Sequence, residues 1–511
     1  MRILTQNLGF PRIGRNRELK KAVEGYWSDP TTRTKLLMAA SSIRQANWRL
    51  QKAAGIDLIP SNDFSFYDQV LDHICLLGCA PARYSENGRR VVNLDEYFAM
   101  ARGNGSVHAL EMTKWLDTNY HYLVPELEPD QDFQIASTKP FDEFREALGI
   151  GILTKPVFLG PMSFLRLAKC QGEGFDKLSL LEKLIPVYAL ILKELKKMGA
   201  EWVQLDEPVL AMDMEPREQK LLVSTYQTLA EAAPDLSLMV CSYFGSYGSN
   251  LKTLLELPVK AVHLDVTRAE SEIVDLLTGL SHKKMLSLGI VDGRNVWKNN
   301  FSRSLTLIGK VKEMIGADRI LLSPSCSLLH SPISLSAENT SPGEVRQWLS
   351  FAEEKLLELG ALAKIAQAGN WSSTPEFITN QLDIKSRNNH AGSHIGAVRG
   401  RINRIRPEDG RRISPFPERI VKQNAKLRLP PFPTTTIGSF PQTDEVRRAR
   451  SRWKKEQVGD KEYQSFLVLL CHKYFAKRGW WRYFMAWLPI FSGALNSTWT
   501  DCPRSLGMRI A

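Results

Sequence analysis

Cysteine is scarce in this chain. Seven occur in 511 residues, an odd number, and they are scattered except for Cys75 and Cys79. That usage excludes a disulfide framework. Long apolar runs are also missing: stretches such as Leu184 to Leu192 fall well short of the roughly 20 residues that span a bilayer. No signal-peptide pattern opens the sequence, because Arg2 and Thr5-Gln6-Asn7 interrupt it and Arg12 and Arg15 follow. A cytoplasmic protein without membrane contact is expected. Zinc-finger and helix-turn-helix spacings are lacking. The net charge is +12, yet its densest stretch, Arg399 to Arg428, has no interleaved aromatic residues. That excludes the stacking platform of a single-strand nucleic-acid binder. A basic connecting segment, or a site for acidic small molecules, is the more economical reading. Cys75 and Cys79 would share a helix face near His73. The apolar Leu76-Leu77 between them favours core packing over a metal site.

What the chain does have is alternation. Between about residues 150 and 330, short apolar strands alternate with amphipathic helices. The strands are expected at Val157 to Leu159, Trp202 to Leu205, Leu236 to Val240, Val259 to Leu264, Met285 to Ile290 and Ile320 to Leu322. Such βα alternation argues for a parallel sheet. Polar groups recur where a strand ends: Asp206-Glu207, Ser242-Tyr243, Asp265, Asp292 to Asn295 and Ser325-Cys326-Ser327. In a (β/α)8 barrel these positions ring one mouth. A doubly wound sheet would gather them at a single switch point instead. The expected fold is therefore α/β, with an N-terminal (β/α)8 barrel over residues 1–341.

A helical and basic linker is expected over 342–429, ending at Pro430-Pro431-Phe432-Pro433. An echo follows it. Leu8-Gly9-Phe10-Pro11-Arg12 precedes Arg17-Glu18-Leu19-Lys20-Lys21, much as Ile437-Gly438-Ser439-Phe440-Pro441 precedes Asp444-Glu445-Val446-Arg447-Arg448. Residues 430–466 read as the start of a second (β/α)8 barrel. They leave it incomplete, since such a barrel needs roughly 250 residues. The stretch 467–511 crowds Trp480, Trp481, Trp487 and Trp499, and neither helical nor strand periodicity holds across Arg482 to Ala511. It reads as an out-of-frame tail beginning soon after Tyr463 to Phe466.

Several motifs resemble one family. They are LGFPRIGRNRELKK (8–21), EMTKWLDTNYHY (111–122), WVQLDEP (202–208), GRNVW (293–297), SCSLLHSP (325–332) and TTTIGSFPQ (434–442). Together they are similar to cobalamin-independent methionine synthase over roughly residues 1–466. The resemblance implies two (β/α)8 barrels and methyl transfer from 5-methyltetrahydrofolate polyglutamate to homocysteine. It also implies a zinc ion that activates the thiol, and no cobalamin. It assigns Arg17, Glu18, Leu19, Lys20 and Lys114 to the folate polyglutamate, and Ile437, Gly438 and Ser439 to homocysteine. From the residues alone, 17–20 would be a solvated basic helix face. Arg and Lys do suit a ligand that carries several carboxylates.

Asp206-Glu207 has the look of a catalytic pair. The resemblance implies that the working copy of this motif lies in the second barrel, so a structural role is expected here. The family's zinc ligands, His, Cys, Glu and Cys, also belong to the second barrel. By motif analogy their first-barrel counterparts are Val240, Ser242, Asp265 and Cys326, which do not make a zinc site. No catalytic residue and no metal ligand is therefore assigned. Without zinc, the homocysteine thiol stays mostly protonated at neutral pH and is a poor nucleophile. A monomer, inactive by itself in methyl transfer, is expected. The alternative is a remnant barrel that only binds folate polyglutamate or other acidic ligands.

Overall fold

The computed structural model describes residues 2–84, 91–172, 174–338, 343–368, 370–433 and 443–476, and the side chains of all of these except 393 and 471–476. The chain divides into two compact units, Met1–Arg399 and Gly400–Ala511.

Eight parallel strands form the first unit's centre. They are β1 (Leu4–Thr5), β2 (Ile59–Ser61), β3 (Thr154–Leu159), β4 (Trp202–Asp206), β5 (Ser237–Cys241), β6 (Ala261–Asp265), β7 (Met285–Val291) and β8 (Ile320–Pro324). From β2 to β8 each strand pairs with the next in the chain, and β8 pairs with β1. The remaining seam is closed where Gln6 bridges Leu58 in parallel. There Leu58 N–H donates to Thr5 O (3.0 Å) and Asn7 N–H to Leu58 O (3.2 Å). The result is a closed (β/α)8 barrel, as expected. All seven residues of β7 and all five of β6 are buried. Strands covered on both faces carry near-continuous apolar runs, which is why these were readable in the sequence.

The barrel interior is polar at one level. Gln6, Lys155, Gln204, His263 and Ser287 are essentially inaccessible to solvent. Lys155 Nζ donates to Gln6 Oε1 (2.7 Å) and Gln204 Oε1 (2.6 Å). Gln6 donates to Ser287 Oγ, which in turn pairs with His263 Nδ1 (2.7 Å). His263 Nε2 donates to Ser325 O (3.0 Å). Burial holds the His263 imidazole down near about 4, so it is neutral at neutral pH.

Within the stretch expected to be a linker, helix Ala352–Ile365 packs on β1, β7 and β8, with Leu356, Leu359 and Leu362 fully buried. Helices Gly396–Ile402 and Phe416–Leu427 bury no residue. In the second unit, helices Asp444–Lys454 and Asp460–Ala476 follow, and Trp453 stacks on Tyr463 at 4.9 Å. Ile437, Gly438 and Ser439 lie outside the described residues, as does the tail from 477 onward. Among the described residues no helix is long and apolar enough to cross a membrane.

His73 engages both ring nitrogens. Nδ1 donates to Gln69 O (2.7 Å) and Nε2 accepts from Leu159 N–H (2.9 Å). Cys75 and Cys79 are buried free thiols beside it.

Candidate functional site at the barrel mouth

Asp206 ends β4 and turns into the barrel mouth. Its carboxylate accepts from Gln204 Nε2 (2.7 Å) and Tyr243 OH (3.2 Å). The next residue points the other way. Glu207 accepts from Ser163 N–H (2.7 Å) and Met162 N–H (3.3 Å) at the start of helix Pro161–Leu167, and from Tyr226 OH (3.2 Å). It satisfies two backbone donors that have no partner inside their own helix. Burial pushes both carboxyls up to about 7. Gly160 makes this arrangement possible, since a Cβ there would lie 2.2 Å from the Glu207 carboxyl. Both carboxylates are thus occupied by protein groups.

A hairpin lies over the mouth. Met112–Lys114 pairs antiparallel with His121–Leu123. Its turn is tied to loops after β7 and β8: Arg294 Nη1 donates to Asp117 Oδ1 (2.8 Å), and Tyr120 OH to Leu329 O (3.3 Å). Arg294 also lies over the Phe244 ring at 4.6 Å, while His330 meets Tyr120 and Phe244 edge-on, each at 5.2 Å. Burial, then Arg294, lowers His330 to about 4, so this cluster holds a neutral imidazole. Phe244 adopts φ 75°, a left-handed conformation rare for an aromatic residue. The Asp265 carboxylate holds it there by accepting its N–H (3.0 Å).

The basic segment stands beside this hairpin. Arg17 is exposed, with φ 60°, at the start of helix Glu18–Trp27. Glu18 folds back to accept from Asn16 N–H (2.9 Å) and Asn16 Nδ2 (3.1 Å). Leu19 is buried, and Lys20 is exposed with Glu24 at 3.7 Å. Leu19 and Lys20 line a cleft of about 320 Å³ together with Arg12, Trp27, Phe66 and Tyr120. Arg17, Glu18 and Lys114 are not among its lining residues. Lys114 sits exposed on the same hairpin as Tyr120. Sequence reasoning therefore brought two of these side chains to the cleft and missed Arg12, Trp27, Phe66, Tyr120 and Arg294. Three of the five stand inside quoted motifs, but nothing in the motifs separates a cleft wall from a core residue.

The described residues do not fit zinc. Val240 is a buried aliphatic, and the buried Ser242 hydroxyl is a poor ligand. Asp265 already accepts from Thr267 N–H, Thr267 Oγ1 and Phe244 N–H. Burial pushes the Cys326 thiol up, away from the thiolate a metal needs. Among the described residues no group of three or more His, Cys, Asp or Glu is placed to hold a metal ion.

Residues 4–316 match the profile described as cobalamin-independent synthase, N-terminal domain, and residues 432–474 match that family's catalytic domain profile. The chain belongs to the cobalamin-independent methionine synthase family. It is similar to the 5-methyltetrahydropteroyltriglutamate–homocysteine methyltransferase of Caulobacter vibrioides, at 46% identity over 486 residues, covering 91% of this chain and 62% of that protein. The proteins of the same name from Parvibaculum lavamentivorans (45% over 469 residues) and Flavobacterium johnsoniae (46% over 473) each cover 91% of this chain and 61% of their own length. The chain spans about three fifths of the length of the curated relatives it matches.

Proposed function

We propose that this chain carries the folate-polyglutamate-binding part of methyl transfer to homocysteine, and that these 511 residues by themselves do not complete the transfer. What carries the reading is a family member's barrel whose mouth has a cleft edged by Lys20, flanked by a hairpin that bears Lys114. A polyglutamate tail presents several carboxylates along a flexible chain. Exposed ammonium groups attract it by charge-assisted hydrogen bonds, each worth about 1 kcal/mol at a solvated site. Arg17 would add charge to the same face, with Glu18 fixing the turn and Leu19 anchoring it to the core. Ile437, Gly438 and Ser439 would supply the opening of the homocysteine site.

Chemistry is the step left unsupplied. Zinc would lower the pKa of the homocysteine thiol when bound, but the described residues offer it no ligand set. Asp206 and Glu207, each held by neighbouring protein groups, are read as struts rather than as acid and base. A small-molecule-binding monomer in the cytoplasm, without nucleic-acid or membrane partners, completes the proposal. Residues 430–466 are read as the opening of the second barrel.

The test is two-sided. The purified chain should be retained on an immobilised 5-methyltetrahydrofolate triglutamate column, and Lys20→Gln with Lys114→Gln should weaken retention several-fold. Expression of the chain should not rescue a methionine auxotroph. Rescue would overturn the inactivity, and indifference to both lysines would overturn the folate site. A barrel that binds acidic ligands without folate preference would instead retain glutamate oligomers and folate triglutamate alike.

A further inference from the structure

None of residues 293–297, the GRNVW motif after β7, lines the cleft beside Lys20. The loop they form is nevertheless bonded along its whole length, by two sets of partners. One set belongs to the mouth. Gly293 N–H donates to Ser325 Oγ (3.1 Å), and Gly293 O accepts from Ser331 Oγ (2.8 Å). A Cβ on Gly293 would lie 2.9 Å from Cys326 Sγ, so glycine is what lets this loop pass so close to the one after β8. Arg294 then donates to Asp117 Oδ1 (2.8 Å) and Asp117 O (3.3 Å) in the hairpin turn. The Arg294 side chain is 19% exposed and lies on the Phe244 ring, whereas Asp117 is 67% exposed. The arginine is therefore the fixed partner, and the hairpin is what it holds.

The second set comes from residues 348–387, in and around helices Ala352–Ile365 and Pro375–Asn389. Val296 O accepts from Ser350 N–H (2.9 Å), and Lys298 N–H donates to Trp348 O (2.8 Å). Trp297 O accepts from Nζ of the buried Lys355 (3.2 Å), and Asn299 N–H donates to Glu358 Oε1 (3.0 Å). Asn380, itself buried, uses both ends of its carboxamide. Its Nδ2 donates to Asn299 O (2.8 Å), and its Oδ1 accepts from Phe301 N–H (3.0 Å). Removing that side chain would leave a buried backbone donor and acceptor without this partner. Asp383 adds an ion pair to Lys298 at 2.6 Å, and Arg387 lies over the Trp297 ring at 3.9 Å. Asn295, the remaining residue between Arg294 and Lys298, donates from Nδ2 to Asp292 Oδ2 (2.8 Å). From Arg294 to Asn299 the loop thus has no unbonded joint to absorb a shift at one end.

We propose that Asn380 and Asp383 are positioning residues of the ligand mouth. They hold the loop after β7 in the course that delivers Arg294 to the hairpin bearing Lys114 and Tyr120. Neither lines the cleft. The stretch 348–389 then works as part of the binding barrel and not as a tether. What the mouth binds rests on the folate reading; the grip on the hairpin does not.

Amide exchange of the full 511-residue chain without ligand, read by mass spectrometry, tests the grip. Asn380→Ala should raise exchange about tenfold at residues 292–300 and at the hairpin, 112–123, and leave β4 to β6 protected. Asp383→Asn keeps the side-chain shape and should act at the same two places, about threefold, which decides the matter if Asn380→Ala melts early. Leu229→Ala, a core truncation in helix Pro216–Ala232, controls for plain loss of stability and should leave hairpin exchange at the parent rate. Both positioning variants should also weaken retention on the 5-methyltetrahydrofolate triglutamate column several-fold. Parent-like hairpin exchange in both, or equal loosening in Leu229→Ala, would overturn this inference and leave the folate reading standing. A loosened hairpin with unchanged retention would overturn the positioning role. A parent chain that is not retained would overturn the folate reading, and hairpin exchange would still decide the grip.

Discussion

Lys155 is a cation at the centre of the barrel whose close partners are neutral, and replacing it by methionine should change how stability depends on pH. The amine is 1% exposed and donates to Gln6 and Gln204, with the Met239 sulfur at 4.0 Å. Burial lowers it from 10.5 to about 8, a difference of roughly 3 kcal/mol between its charged and neutral forms. The unfolded chain therefore binds more protons than the folded one between about pH 8 and 10.5, and stability rises with pH across that window. Lys155→Met has no such group. It removes the burial penalty of the charge but leaves two amide oxygens without this donor, at a cost of about 1 to 3 kcal/mol each. Near pH 7 the gain and the loss largely offset, so parent and variant should unfold within about 2 kcal/mol of each other. By pH 10.5 the parent should have gained roughly 3 kcal/mol on the variant. Urea unfolding of both proteins at half-unit pH steps from 7 to 10.5 measures this. Groups common to both chains, such as tyrosines and thiols, cancel in the difference. Parallel stability curves over that range would refute the reasoning, because they would mean that the buried amine titrates as it does in the unfolded chain.

Gly160→Ala should cost about 2 to 3 kcal/mol in the same urea assay, because its Cβ would meet the Glu207 carboxyl at 2.2 Å and dislodge it from the helix it caps; a loss below 0.5 kcal/mol would contradict the strut role. Arg294→Ala should free the mouth hairpin, raising amide exchange at Thr113 to Leu123 about tenfold while leaving β6 and β7 protected; unchanged exchange would mean that Tyr120 alone holds the hairpin. Limited proteolysis should cut first between 400 and 433, where helix Phe416–Leu427 buries no residue and Ile413 and Phe432 are fully exposed, while the barrel persists; first cuts inside β3 to β8 would oppose this.

Much of the barrel was legible because buried parallel strands leave short apolar runs, such as Val157 to Leu159, Leu238 to Cys241 and Ile320 to Leu322. The six strands β3 to β8 begin and end within a few residues of where the pattern put them. β1 and β2 were not readable. They hold two and three residues, Pro60 interrupts the second, and the buried residues after Leu4 are polar: Gln6 bonds Lys155 in the barrel interior, while Thr5 and Asn7 bond Asp57 and Gln51 on the outer side. The cleft was legible only through the family motif. It joins four chain segments, Pro11 to Trp27, Phe66, Tyr120 and Leu329 to Ile333, which span about 300 positions, and no local periodicity records such an encounter. Phe66 and Trp27 look in sequence like any half-buried aromatic residues. Their place in the cleft wall appears only once the fold brings Tyr120 and Leu329 into the same lining.

The same geometry gives the sequence echo a physical cause. Gly9 follows β1 where the chain meets the loop after β8: its carbonyl accepts from Leu328 N–H (2.9 Å), and a Cβ on it would lie 2.5 Å from Ser327 Oγ. The next residue is anchored too, since Phe10 N–H donates to Asp63 Oδ2 (2.8 Å) after β2. A glycine followed by Phe-Pro therefore lets the first strand's exit touch both of its neighbours and closes the mouth at its shortest seam. Gly438 with Phe440-Pro441 repeats that pattern after the basic stretch. In this barrel Asp206 and Glu207 are likewise held by protein groups: Gln204 and Tyr243 for the first, the start of a helix for the second. Two carboxylates held in this way agree with the proposal that the mouth holds a ligand at its rim, beside Lys20, and carries out no chemistry at its centre.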